Sequence, residues 1–307
     1  MHSYKNQDAQ TTYRQLRIAM PVLVIMLATA VIYQILRPDP DCWLGSISAY
    51  YYTSARAVFV ASLCAIGACL VAYRGNTPSE DLALNVSGFL AFVVAFIPTP
   101  RKDLVVPIGV PRCGNSNKPT SEQLVAAVDN NIFAFLVACA VAAVVVIVFY
   151  MRTIDSKDGK PSLLSTLVLA LSVGGSWIWF ITSPESLRQR GHLLAAVLLV
   201  VGIVAVMVMY AFELRFLGAR TMKSKPPFRT LYRGLVLLMV AGVTVIGLLA
   251  LLSKFEHTVF WLEAMVLVLF GAFWVVQTCE FWDLPDRRDP VDGDRRIAEA
   301  DDALQGT

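Results

Sequence analysis

Eight long apolar runs, nearly free of charge, restrict this chain more than any other feature. They lie at about 18–36, 57–73, 82–98, 124–150, 163–182, 193–213, 234–252 and 258–278. A helix that crosses a bilayer needs about 20 mostly apolar residues, and each run approaches that length. Together they take more than half of the 307 residues, and the segments between them are too short for a soluble domain. With 56% hydrophobic and 16% charged residues, a soluble fold could not cover its surface with polar groups. The expected fold is all-α: a polytopic transmembrane helix bundle of about eight spans over residues 1–282. The segment 283–307 alternates Asp and Glu with Arg and is expected to be a disordered, charged cytoplasmic tail.

The first run reads as a retained span. Its apolar core, Ile18 to Leu36, is longer than a signal-peptide core of ~7–15 residues. Arg37-Pro38-Asp39-Pro40 follows in place of a small-residue cleavage site. With eight spans and a cytoplasmic N-terminus, seventeen Lys and Arg fall on the cytoplasmic side and nine on the other. The positive-inside bias therefore puts both termini in the cytoplasm. The same topology accounts for the net charge of +3. No motif of a nucleic-acid binder is present, so the expected partners are membrane lipids and a lipid or small-molecule ligand. Alanines at helical spacing, Ala61, Ala65, Ala68 and Ala72 in the second run and Ala134, Ala138 and Ala142 in the fourth, suggest close-packing stripes. Residues 1–16 are polar and read as a frayed or interfacial arm.

Between the first two runs lies a short polar stretch, Ser46-Ile47-Ser48-Ala49-Tyr50-Tyr51-Tyr52-Thr53-Ser54-Ala55-Arg56. Its serines suit a helix cap, and its tyrosines, with Trp43, suit an interfacial aromatic belt. They also suit a binding site. Ionisable groups inside a span are costly and are functional candidates by default. Two remain once the topology is drawn, Asp129 and Glu263, and both fall toward the outer end of their helices. Ser46, Ser48, Tyr50, Tyr51, Tyr52, Arg56, Asp129, Asn130, Asn131, His192, His257 and Glu263 all lie at that face. The expectation is that they converge on an outward-facing polar site, with Asp129 beside Arg56. At the inner half, Asn85, Ser87, Gln277 and a few hydroxyls are the polar groups in view.

GxSxG, HExxH, Walker A, GxGxxG and CxxC are absent, and the chain has three histidines, so no cofactor or metal motif is assigned. A mixed set of His192, His257, Asp129 and Glu263 could serve a metal-dependent lipid hydrolase, but it has no characteristic ligand spacing. Asp129 and Glu263 could equally serve a proton- or solute-coupled transporter. Cys42 and Cys113 both fall on the outer side, a disulfide-permissive compartment, and are expected to pair.

Ser46-Ile-Ser-Ala-Tyr-Tyr-Tyr-Thr53, followed by Arg56-Ala-Val-Phe-Val60 and Ala65-Ile-Gly67, resembles a family of multi-span bacterial membrane proteins without an established activity. Tyr73-Arg-Gly75, Glu80-Asp81, Pro98-Thr99, Asp129-Asn-Asn131, Gly191-His192 and Phe260-Trp-Leu-Glu-Ala264 are similar to it as well. The resemblance implies an integral fold of the bacterial cytoplasmic membrane with polar motifs on the outer side. A remoter similarity is to membrane hydrolases of the alkaline ceramidase and progestin-receptor type, whose His-rich metal pattern is not visible here.

The topology is testable. Reporter fusions at residues 115 and 225 should report opposite sides of the membrane, with 225 cytoplasmic. Two fusions on one side, or residue 225 outside, would refute the orientation or the span count.

Overall fold

The computed structural model describes residues 2–36, 43–100, 121–152, 163–212, 226–252 and 257–282. Among them are eight α-helices and a short 3-10 helix, and no strand. The helices are α1 (His2–Ile35), α2 (Arg56–Ala72), α3 (Pro78–Phe96), α4 (Ser121–Arg152), α5 (Leu163–Thr182), α6 (Pro184–Phe212), α7 (Pro226–Leu252) and α8 (Thr258–Glu280), with the 3-10 helix at Ser48–Tyr52. Six of them, α1, α3, α4, α6, α7 and α8, are long and apolar enough to cross a membrane, while α2 and the apolar part of α5 are shorter. Leu171, Ile181, Leu237 and Val268 are each more than 60% exposed. That outward apolar surface is compatible with an integral membrane protein and is rare on a soluble one.

Neighbouring helices close a ring. α1 packs on α2, α2 on α3, α3 on α6, α6 on α7, α7 on α8, and α8 back on α1. α4 and α5 lie outside it, against α3 and each other, with α5 also touching α6. The core falls into two main clusters. One is built on Tyr73, Tyr210, Tyr232, Phe273 and Trp274, the other on Tyr50, Tyr51, Phe59, Phe89 and Phe260.

Local chemistry explains the helix ends. Thr77 caps α3 by accepting the Glu80 N–H at 3.2 Å, Pro78 occupies the first turn where no amide partner is needed, and Glu80 and Asp81 face the positive helix end. Three helix starts lie well before the sequence reading, α7 among them, which begins at Pro226 and not near 234. α1 extends back through the polar arm, where Arg14 and Arg17 reach the Trp282 and Phe281 carbonyls beyond α8. α6 begins at Pro184, one residue after α5, so 184–192 is helix where a loop was expected. Its first turn carries Glu185, which accepts from Arg188 and Gln189, the i,i+3 and i,i+4 pairing that supports a polar helical turn.

The alanine stripes do not pack. Ala61, Ala68 and Ala72 are exposed, as are Ala134, Ala138 and Ala142. The close approach of α2 to α3 is made by glycines instead. A Cβ on Gly67 would stand 2.8 Å from the Gly88 carbonyl oxygen, and one on Gly88 would stand 2.7 Å from the Gly67 oxygen. Contacts that short are with backbone, which cannot rotate away. Gly67→Ala should therefore cost about 1–3 kcal/mol of stability as an overpacked contact. Ala61→Leu, on the exposed stripe, should stay within about 0.5 kcal/mol. Reversible unfolding in mixed micelles reads both, and equal effects would place the contact elsewhere.

Candidate functional site

The polar stretch after α1 folds into a turn that cannot satisfy its own backbone. A five-residue 3-10 helix leaves its first amides without internal partners. Glu263, five residues into α8, supplies them: its carboxylate accepts the Ile47 and Ser48 amides and, at 2.7 Å, the Ser48 hydroxyl. Ser46 Oγ accepts the Ala49 amide at 3.0 Å, and the Phe260 amide of α8 donates to the Gly45 carbonyl at 2.9 Å. Two of the expected site residues thus meet directly, Ser48 and Glu263, and the loop is stitched to α8 by four donors.

Each tyrosine has a different task. Tyr50 is fully buried and its phenol oxygen accepts the Leu44 amide at 3.4 Å. Burial pushes its pKa above the ordinary value, against the lowering effect of that amide. The Tyr51 hydroxyl accepts from Arg56 at 2.7 Å, and the guanidinium lies 4.3 Å from the Tyr51 ring centre, a cation–π contact. Tyr52 donates to the Thr99 carbonyl at 2.8 Å. Tyr50 and Tyr51 lie inside the core, while Trp43 and Trp261 are exposed. α2 is preceded by Ala55 and has no side-chain cap, so the serines serve the 3-10 turn.

Asp129 does not meet Arg56. Arg188 Nη1 donates to both of its oxygens, at 2.7 and 2.9 Å, and Arg188 Nη2 donates to Glu185 at 2.9 Å. The continuation of α6 through residue 188 places this partner opposite α4, while Arg56 is held by Tyr51. Asn130 is exposed and Asn131 half-buried. His192, one turn beyond Arg188 on α6, is buried, and its Nδ1 lies 2.6 Å from the Ile97 carbonyl just past α3. A carbonyl can only accept, so Nδ1 carries the proton. His257 stacks on Trp43 at 4.9 Å, and its Nδ1 is buried without a partner among the described residues.

The expected residues therefore form a layer and not one contact set. Glu263 holds the 3-10 turn, Tyr52 of that turn holds Thr99, His192 holds Ile97 two residues earlier, and Arg188 on the same face of α6 holds Asp129. The four proposed metal ligands each have a separate neighbour, and among the described residues no group of three His, Cys, Asp or Glu converges. Cys42, Cys113 and the segment 283–307 lie outside the described residues. Cys64, Cys69, Cys139 and Cys279 are free thiols.

At the opposite end of the bundle Gln277, noted in the sequence as an inner-half polar group, is joined by a polar cluster that the sequence reading did not assemble. Arg17 and Gln277 are fully buried and Glu80 nearly so. Glu80 accepts from the Asn76 amide at 2.9 Å and its side chain at 3.1 Å, and Asn76 donates to the Tyr210 hydroxyl at 2.6 Å. Tyr73 donates to Gln277 at 3.4 Å, and Tyr232 to Glu280 at 2.6 Å. These residues come from α1, the α2–α3 turn, α3, α6, α7 and α8, and no spacing in the chain links them. The one available signal was Thr77-x-x-Glu80, a capping pattern that places Glu80 on a helix start.

Comparisons with family models, with curated proteins and with solved structures find no match to this chain.

Glu263→Ala leaves the Ile47 and Ser48 amides without their acceptor in a part-buried site, at roughly 1–3 kcal/mol each. The variant should unfold at markedly lower denaturant, and hydrogen exchange should accelerate first at 46–52. Unchanged protection there would show that the turn is held by something other than Glu263.

Proposed function

We propose that the chain is an integral protein of the bacterial cytoplasmic membrane that binds a lipid headgroup or small polar solute at its outer polar layer. The observation that carries this reading is the Asp129–Arg188–Glu185 group at the edge of that layer. The Glu185 side chain is 70% exposed and that of Asp129 36%, so two carboxylates share one guanidinium and keep open acceptor positions. Phe133, one turn from Asp129, packs edge-on against Trp177 and near Phe180, giving the charges an apolar floor that faces lipid. A surplus of carboxylate oxygen above an apolar surface suits an amine-bearing headgroup, its ammonium on the acids and its chains along α4 and α5. The resemblance to bacterial multi-span proteins and the Lys and Arg bias support the location and the orientation, and lipid is the expected partner.

A transporter is the second reading, favoured by the buried Arg17–Glu80–Gln277 end, which gives the bundle polar groups at both ends. The hydrolase reading has no such support, because each of its four residues is engaged separately.

Native mass spectrometry of the purified protein, with phosphatidylethanolamine and phosphatidylglycerol offered together, tests the first reading. Wild type should retain the ethanolamine lipid preferentially. Asp129→Asn combined with Glu185→Gln should weaken that retention about tenfold, a change of ~1.4 kcal/mol, without changing thermal stability by more than a few degrees. Equal retention of both lipids, or no effect of the double substitution, would overturn it.

A further inference from the structure

Near the middle of the bundle a cavity of about 10 Å³ is lined by Leu70 of α2, Leu84 and Ser87 of α3, Val206 of α6, and Phe273 and Trp274 of α8. That is about the room one water needs. Ser87 and Trp274 are each 1% exposed, and Ser87 Oγ and Trp274 Nε1 have no hydrogen-bond partner among the described residues. A buried indole N–H and a buried hydroxyl ordinarily find partners. The two residues are the polar members of an otherwise apolar lining. An indole N–H can only donate, whereas a hydroxyl can donate or accept. One molecule that accepts from Trp274 and exchanges a hydrogen bond with Ser87 satisfies both.

Gly202 of α6 is the second observation. A Cβ there would stand 2.3 Å from Ser87 Oγ, so α6 carries no side chain where the hydroxyl sits. The third is the continuation of the polar face. Gln277 lies three residues beyond Trp274 on α8, fully buried, and its Nε2 has no partner among the described residues. Gln277 accepts from Tyr73, whose ring stands 5.0 Å from that of Trp274.

We propose that this cavity binds a single water, or a neutral hydrogen-bonding molecule of the same size, between Ser87 and Trp274. The water extends the polar network of Gln277, Tyr73, Asn76 and Glu80 from one end of the bundle to its centre. The site is independent of the headgroup reading, since it shares α6 with that group but none of its residues.

Hydroxyl-radical labelling of the intact protein in nanodiscs, generated by synchrotron radiolysis in H₂¹⁸O, reads it directly. Radicals form from water already at the site, so a buried side chain is labelled only where water sits beside it. Phe273 and Trp274 should be labelled in wild type despite their burial. Ser87→Ala, which removes one atom from the lining, should lower Phe273 labelling at least fivefold. Gly202→Ala should do the same by displacing the hydroxyl, and Ala61→Leu should leave it unchanged. Wild-type labelling no greater than at a buried control such as Leu27, or labelling unaltered by Ser87→Ala in protein that remains monodisperse, would overturn the proposal.

Discussion

A carboxylate from the last helix holds the backbone of the loop after the first. Away from water an unpartnered amide is costly, so non-helical backbone in a packed bundle needs partners that the protein supplies. The Ile47 and Ser48 amides meet that condition through Glu263 alone, two chain ends more than 200 residues apart. Once the turn is fixed, Tyr52 has a defined position from which to hold Thr99. Tyr50 and Tyr51 close over the core between α1, α2 and α8, and the ring acquires its lid. The conspicuous polar residues of the stretch are thus explained first by backbone accounting. Ligand chemistry is required only of what that accounting leaves over.

Most of the architecture was legible because lipid imposes a simple code. Apolar runs became helices, Thr77-Pro78 with two acids became a helix start, and Ser48 with Glu263 proved to be neighbours as their shared depth suggested. The partner of Asp129 was not legible, since 183–192 reads as polar and Gly191 interrupts it. The acid-and-base pairing of Glu185 with Arg188 and Gln189 nevertheless keeps the helix going, and this turns Arg188 toward α4. The alanine stripes misled for a related reason. Small residues permit close packing, but which face is used depends on both helices, and only Gly67 and Gly88 offer two bare surfaces at one level.

The far end was illegible for a different reason. Arg17 counts in the sequence as one more cytoplasmic charge near a span. In the structure it is fully buried, donating to Phe281. Nothing local distinguishes it from Arg14, which is half-buried at the same helix end and reaches Trp282. Burial of a guanidinium is set by what α8 and the α2–α3 turn bring to it, and such information exists only after the ring has closed.

The two ends solve the same problem with opposite charge. At one, a carboxylate satisfies N–H groups at the start of a helical turn. At the other, guanidinium groups satisfy carbonyls at the close of α8. Both follow the helix dipole, positive at its amino end and negative at its carboxyl end. Each also ties α8 to a segment beside α1, so the first and last helices are joined at both ends by charge on backbone. A carboxylate used this way has its acceptors engaged, which makes Glu263 a poor candidate for chemistry. Capacity remains where a charge is shared and wet, as at Asp129, Arg188 and Glu185. It remains too where buried polar atoms were left over by helix packing, as at Ser87 and Trp274. Function in this chain is therefore sought in those residues and not in the serines and tyrosines of 46–52.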